Sequence, residues 1–282
     1  MTNWSSAKTE KKAMKTLLLY FVLTLGSLMM FLPLIYALIS SLKPNAEIFI
    51  IPIKWIPSKI EWSNYTEPFR NYPFPRYFFN SFFVATVVTA INLFLCSLAG
   101  YGLAKFRFPG RNFIFILILG TLMLPLQTTF LPLYLIVKYF NWLNSYKVLI
   151  IPGVVDAFSV FLFRQYIQTI PDAFIDAARI DGCGEFGIFW RVILPMFTPA
   201  IAVVGILTFL LNWQSYLWPL ITINKEELRT LPLGLVSFQQ NYYAQYGQLF
   251  AISLLSILPI LVVFIIFQRK FIAGVVLSGI KG

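Results

Sequence analysis

Six stretches of the sequence stay predominantly apolar for about 20 residues or longer, near 17–41, 78–104, 113–137, 147–166, 198–221 and 249–268. An α-helix needs about 20 apolar residues to cross the hydrocarbon of a bilayer. The runs are continuous rather than alternating, and a helix satisfies its backbone hydrogen bonds internally in lipid. The sequence therefore predicts an all-α polytopic membrane protein, with six transmembrane helices in a single transmembrane domain over 1–282.

Composition and charge agree with this class. The chain is 59% hydrophobic and 12% charged, whereas about a quarter of the residues in a soluble domain are charged. The lysine-rich tail at 8–15 followed by an apolar run superficially resembles a signal peptide. The run is long and lacks a small-residue cleavage site, so we expect the run to remain as the first span. More than half of the Lys and Arg residues fall in this tail and at 105–111, 164–191 and 269–281. The positive-inside rule then predicts that both termini are cytoplasmic.

The sequence also argues against several functions. The net charge of +11 is dispersed over short loops, which favours lipid headgroups over nucleic acid as its counterpart. The chain has no histidine, no clustered metal ligands and no G-x-x-x-x-G-K-[ST] phosphate loop. Cys96 falls in a span and Cys183 in a predicted cytoplasmic loop, so a structural disulfide is not expected. We therefore expect no catalytic residues, no metal and no cofactor in this chain; any energy comes from a partner.

The polar interruption at 171–199 carries the signals of a helix, a turn and a second helix. Pro171 and Asp172 suit a first helical turn, and Gly182 stands where the helix end needs a left-handed residue. Pro195, which has no N–H, is expected to mark the end of the second helix. Two small residues in succession, Ala177 and Ala178, predict a shallow notch against which another surface could pack.

This loop resembles the cytoplasmic EAA loop of permease subunits in binding-protein-dependent ABC importers. The matching order is Asp176-Ala177-Ala178, two residues, Asp181-Gly182, then Val-Ile-Leu-Pro195 and Pro199. It departs from the family in having Asp176 for the usual Glu and Cys183 for the usual Ala. The resemblance implies that 168–197 is the coupling loop that docks on a separate ATPase subunit, through Asp176, Ala177, Ala178, Asp181, Gly182 and Pro195. The alternative is an amphipathic linker of no special purpose.

Other segments resemble the carbohydrate-type permeases of the maltose and glycerol-3-phosphate kind, and the resemblance spans nearly the whole chain. They are Ser40 to Pro44 with Glu47, Asn80-Ser81, Ser97 to Phe106, Phe161 to Gln165, Leu217 to Leu220, Leu228 to Pro232, Gln268 to Phe271 and Gly279 to Gly282. The closest match is the shorter, six-span member of the permease pair.

This resemblance implies a type I ABC importer permease fold in a prokaryotic cytoplasmic membrane. The implied partners are a second related permease in a heterodimer, two ATPase subunits that hold ATP and Mg, and an extracytoplasmic solute-binding protein. It implies transport of a sugar or related carbohydrate by alternating access.

Candidate pathway residues come from polar groups in or beside the spans. Gln127 follows Pro125, where a broken helix could line a cavity, although Gln127 could equally join two helices. Asp156 is the acid predicted within the membrane core, unless the fourth span begins later and places it near the outer interface. Amides and hydroxyls beside aromatic rings suit the binding of a sugar, and they are equally typical of an ordinary membrane interface. The candidates of this kind are Asn212, Gln214, Tyr216 and Trp218.

The resemblance also implies a role for the outside loop before the last span. This loop, residues 225–247, is expected to contact the binding protein. The candidates are Gln239, Gln240, Asn241, Tyr242 and Tyr243. A secondary transporter or a channel subunit with six spans is the competing function. Those classes explain the spans but not the loop around Gly182, and a secondary transporter usually shows internal repeats, which we do not find.

Overall fold

The computed structural model describes the backbone of residues 3–241 and 245–279 and the side chains of 14–125, 127–239 and 245–268. The described residues form helices and no strands. The α-helices are α1 Asn3–Ser41, α2 Ser63–Asn71, α3 Phe74–Lys105, α4 Arg111–Thr121, α5 Leu126–Tyr139, α6 Tyr146–Ile150, α7 Ala157–Gln168, α8 Asp172–Ile180, α9 Glu185–Ile188, α10 Leu194–Met196, α11 Thr198–Trp213, α12 Leu217–Thr222, α13 Leu231–Asn241 and α14 Tyr246–Gly279. Short 3₁₀ turns cover Asn45–Glu47, Ile151–Gly153 and Glu226–Leu228, and a π-helical turn covers Phe189–Ile193.

Four helical segments in the described part are long and apolar enough to cross a membrane: Met14–Ser41, Phe74–Lys105, Tyr146–Gln168 and Tyr246–Gln268. A fifth is reached if Glu185–Met196 and Thr198–Trp213 are counted together, although they meet at an angle of 82°. The all-α membrane class predicted from sequence is confirmed, but the count of six continuous spans is not reached.

The predicted third span, 113–137, is two helices rather than one. Helix α4 ends at Thr121, and α5 begins after Pro125, whose backbone is extended at φ −58° and ψ 131°. A proline disfavours the helical conformation in the residue before it and lacks an N–H to continue the ladder. Pro125 therefore separates two shorter apolar helices, and the prediction of a broken helix beside Gln127 is confirmed.

The predicted fifth span, 198–221, also ends earlier than expected. Helix α11 stops at Trp213, residues 214–216 leave the helix, and α12 restarts at Leu217. Pro219 lies in the first turn of α12, where its missing N–H leaves no helical hydrogen bond unmade. The polar and aromatic residues expected at the end of one span thus lie in a break between two helices.

The chain packs as two units, one formed by the residues up to Tyr72 with Phe238–Leu255, and the other by Pro73–Ser237 with the residues from Ser256. In the first unit the buried Asn64 amide donates to the carbonyls of Ser41 and Lys43, each at 3.0 Å, and so ties α2 to the end of α1. This division describes packing, so one transmembrane domain over 1–282 stays a prediction.

In the second unit, α3 packs against α7 and α11. Gly100 is buried where α3 meets α7, and a Cβ there would lie 2.7 Å from the Cβ of Phe163. Only a residue without a side chain allows this approach, which agrees with the close helix packing expected of small residues in span two. The Arg164 guanidinium lies over the Phe115 ring, 3.8 Å from its centroid, and donates to the Leu103 carbonyl. Its charge is thereby held by an aromatic face and a backbone acceptor.

Candidate functional site

The loop at 168–197 contains the helix and turn predicted from sequence. Helix α8 starts after Pro171, which has an extended backbone, and carries Asp172 in its first turn. At its end Gly182 has φ +81°. The Gly182 and Cys183 amides donate to the carbonyls of Arg179 and Ala178, at 3.0 and 2.9 Å. These two bonds form a Schellman motif, which a left-handed glycine favours.

The side chains of α8 divide into a buried and an exposed face. Ile175 and Ala178 are buried in the core, while Asp176 and Ala177 are exposed. Of the two small residues expected to form a notch, only Ala177 faces outward, because the helix is held to the core by Ala178. Ile180 is 87% exposed and adds apolar area beside Ala177. Asp181 and Gly182 lie exposed at the tip of the loop.

Hydrogen bonds join the loop to the end of α3. Lys105 Nζ lies 2.6 Å from Asp172 Oδ1 and also donates to the Ile170 carbonyl. The Tyr101 hydroxyl donates to Glu185 at 3.0 Å. The hydrogen bond and charge of Lys105 hold the pKa of Asp172 below its ordinary value. The loop is therefore attached to one long helix at both its entrance and its middle.

A second set of ion pairs closes the turn itself. Arg179 lies 2.8 Å from Glu185 and 3.4 Å from Asp176. The Glu185 carboxylate, as a hydrogen-bond acceptor and neighbouring charge, raises the pKa of the Arg179 guanidinium. All three side chains are more than 40% exposed, so solvent screens these pairs and they orient the turn more than they stabilise it. Asp176 is thus a helix-surface carboxylate with an arginine beside it.

The second helix of the loop does not end where Pro195 predicted. Helical structure continues through the π-helical turn and α10 to Met196, and the backbone breaks at Phe197, with φ −110° and ψ 24°. Pro195 is exposed and lies in the first turn of α10, where its ring causes no interruption. Its carbonyl accepts from the Thr198 hydroxyl at 2.7 Å. The loop therefore passes into α11 through a sharp bend two residues after Pro195.

The candidate pathway residues do not form one cluster. Asn212 and Trp218 line a single cavity of about 160 Å³. Tyr216 is half-buried against a neighbouring apolar core, and Gln127 and Gln214 are exposed and line no part of this cavity. Of these five candidates, the structure thus brings only Asn212 and Trp218 together in one cavity.

Asp156, the sixth candidate, has a structural contact set of its own. Its carboxylate caps α7 by accepting from the Ser159 amide and hydroxyl, and it accepts from the Asn92 amide at 2.8 Å. A capping carboxylate completes the open N–H groups of a helix start. Asp156 therefore has a packing role at the break before α7, and a pathway role remains a prediction.

The candidates for binding-protein contact lie at the end of α13. Gln239 is exposed. The side chains of Gln240 and Asn241 and the whole of Tyr242 and Tyr243 lie outside the described residues. In the part of the chain that is described, no three His, Cys, Asp or Glu residues cluster as metal ligands.

Two groups of contacts were missed from sequence. Tyr101, Lys105 and Glu185 anchor the loop, and Thr230 lines the cavity with Asn212 and Trp218. The signal was partly present, since Tyr101, Lys105 and Thr230 fall in segments singled out for resemblance. Tyr101 and Glu185 lie 84 residues apart and Lys105 and Asp172 lie 67 residues apart, and partners so distant cannot be paired from one sequence.

A family model described as "Binding-protein-dependent transport system inner membrane component" matches residues 94–275. The chain belongs to this family. It is a permease subunit of the carbohydrate-type branch, as its motifs predicted. The secondary-transporter and channel alternatives are thereby set aside.

Similar proteins agree along nearly the full length. The arabinooligosaccharides transport system permease protein AraQ of Bacillus subtilis is 38% identical, over 94% of this chain and 95% of that protein. The sn-glycerol-3-phosphate transport system permease protein UgpE of Yersinia enterocolitica is 32% identical, over 92% and 95%. A chain from the crystal structure of a bacterial ABC transporter involved in the import of the acidic polysaccharide alginate superimposes with a TM-score of 0.82 at 23% identity, over 93% and 98%. It shows that this permease has the type I ABC importer fold.

Proposed function

We propose that this permease carries a sugar or related carbohydrate across a prokaryotic cytoplasmic membrane by alternating access. The relatives named for arabinooligosaccharides and glycerol 3-phosphate support a carbohydrate-class cargo. The cavity lined by Asn212 and Trp218 supports it further, because an amide beside an aromatic ring suits a hydroxylated ligand with apolar C–H faces.

The coupling role of the loop is the second part of the proposal. The single observation that carries it is the exposed face of α8, with Asp176, Ala177 and Asp181 presented by a helix that Ala178 fixes to the core. A small residue at Ala177 leaves room for another protein to approach the helix. Gly182 ends the helix without a side chain in the way. These features suit a rigid helix that docks into a cleft on a partner protein better than they suit a linker of no special purpose.

The partners follow from this role. We propose two ATPase subunits that hold ATP and Mg and dock on the loop, a second related permease, and an extracytoplasmic solute-binding protein. A bacterial alginate ABC transporter with a chain of similar fold was solved in complex with a periplasmic protein, which supports the last of these. In this arrangement the loop at 168–197, Pro195 included, and both termini lie in the cytoplasm, and nucleotide chemistry occurs on the ATPase chains.

The test is co-purification of the ATPase subunits with wild type and with Ala177→Asp, after co-expression of the chain with its importer partners. The added carboxylate stands on the exposed face, so it leaves the core of the permease intact while charging the docking surface. We expect most of the ATPase and of the ATP-driven uptake to be lost. Ala177→Ser is the control, since it keeps the small volume and should retain both. Full uptake by Ala177→Asp would refute the coupling assignment.

A further inference from the structure

The cavity that holds Asn212 and Trp218 also contains a buried hydroxyl without a partner. Thr230 is 3% exposed and lines this cavity, and its Oγ1 makes no hydrogen bond to any part of the chain that the structure describes. A buried hydroxyl left unpaired is destabilising, so the protein is stabilised when a ligand supplies the missing partner. Thr230 thus brings an unpartnered hydroxyl to the wall of a ligand-sized space.

The backbone around Thr230 is held on both sides. The Asn80 amide donates to the carbonyls of Glu227 and Arg229, each at 2.8 Å, and the Leu231 amide donates to the Ser81 hydroxyl at 2.7 Å. Asn80 is in turn fixed, because its side-chain oxygen accepts from the Tyr146 hydroxyl at 2.6 Å. The backbone on both sides of Thr230 is therefore held by hydrogen bonds, which fixes where its side chain leaves the chain.

The remaining walls combine rings and small polar groups. Phe130 and Trp218 line the cavity with their ring centroids 5.7 Å apart, and the Trp218 indole is fixed by donating to the Val148 carbonyl at 2.8 Å. Asn212 and Ser215 contribute an amide and a hydroxyl. The volume, about 160 Å³, matches one six-membered ring, since an apolar cavity of about 150 Å³ in another protein holds one benzene.

We propose that this cavity is a subsite for one sugar ring of the cargo, in which Thr230 bonds a ring hydroxyl while Trp218 and Phe130 pack on its C–H face. The inference rests on the proposed function and adds to it a named specificity residue and the size of the unit that is bound.

The experiment compares Thr230→Val with wild type in the reconstituted importer, with its partner permease, ATPase subunits and binding protein. Uptake of arabinotriose, sn-glycerol 3-phosphate and an alginate trisaccharide is measured together with ATP hydrolysis. Valine keeps the shape and removes the hydroxyl, so we expect uptake per ATP hydrolysed to fall roughly three- to tenfold. Thr230→Ser should restore the wild-type ratio.

The control is Thr222→Val. Thr222 is equally buried, lies outside the cavity, and its hydroxyl already bonds the Trp218 carbonyl within the same helix, so no change is expected. If Thr230→Val does not assemble, Thr230→Ala gives the same expectation. A wild-type ratio in the variant, or a serine variant as impaired as valine, overturns this inference alone. A wild-type importer that takes up no carbohydrate delivered by its own binding protein overturns the proposed function and this inference with it.

Discussion

At the scale of single residues, the ion pair between Asp172 and Lys105 decides how the loop at 168–197 is attached to α3. Lys105 is almost fully buried, with its side chain 7% exposed, whereas Asp172 is 72% exposed. The lysine therefore cannot turn to solvent as easily as the carboxylate can. Because Asp172 also begins α8, the same contact fixes the start of the helix that presents Ala177.

This pair predicts a pH dependence. The pKa of Asp172 is lowered by the hydrogen bond and charge of Lys105 from an ordinary value of 3.8, so its contribution to stability is fully present above about pH 4. It is lost as the pH falls through the lowered pKa. We expect the difference in thermal midpoint between wild type and Asp172→Asn to be constant from pH 7 to about 4 and to shrink below. The matched control is Asp181→Asn, which removes the same charge at a position where no described residue forms an ion pair. A difference that grows in acid would contradict the contact.

At the scale of helices, the core of the second unit depends on the approach of α3 to α7. A Cβ on Gly100 would lie 2.7 Å from Phe163 Cβ and 3.0 Å from the Arg164 amide nitrogen. Neither atom can move by a side-chain rotation, because the first is a Cβ and the second is part of the backbone of α7. Two residues along the same helix, Gly102 has no atom within 4 Å of a built Cβ. The two glycines therefore differ only in what they face.

This contrast gives a matched pair. We expect Gly100→Ala to destabilise the permease by about 1–3 kcal/mol through overpacking, and Gly102→Ala to be neutral or to stabilise by up to about 1 kcal/mol through helix propensity. The measurement is the denaturant or thermal midpoint of each purified variant in lipid. Equal effects at the two positions would mean that α3 and α7 are not this close.

The helices also show what the sequence could and could not predict. Length and apolarity were enough to locate α1, α3 and α14, because the bilayer constraint acts on each segment alone. The end of α11 at Trp213 was missed, since residues 214–216 are Gln-Ser-Tyr, and polar and aromatic side chains are equally typical of a helix end at a membrane interface. The turn at Gly182 was predicted because left-handed geometry selects glycine locally. The burial of Ala178 and the approach of Lys105 depend on the direction in which α8 lies on the core, which no local pattern specifies.

At the scale of the whole permease, the loop and the membrane helices are connected through a small number of polar contacts. Motion of α8 and α9 can pass to α3 through Lys105 at one point and through the Tyr101 bond to Glu185 at another. From α3 it reaches the packed α7 and α11. To show that this contact transmits motion, a defined change must break it without unfolding the protein. Removal of the Tyr101 hydroxyl is such a change.

Tyr101→Phe removes this hydroxyl and keeps the ring, which is 4% exposed and packs against Phe189 and Phe106. Packing is therefore retained, and the Glu185 carboxylate keeps Arg179 as its partner. We expect the ATPase subunits to bind the permease and hydrolyse ATP as in wild type, while uptake per ATP falls roughly three- to tenfold, which corresponds to about 1 kcal/mol for one partly exposed hydrogen bond. Tyr20→Phe, on an exposed part of α1, should change neither quantity. If Tyr101→Phe transports with the wild-type ratio, the hydroxyl does not carry the motion, which then reaches α3 through the Lys105 bond to Asp172 and the packing of the Tyr101 ring on Phe189.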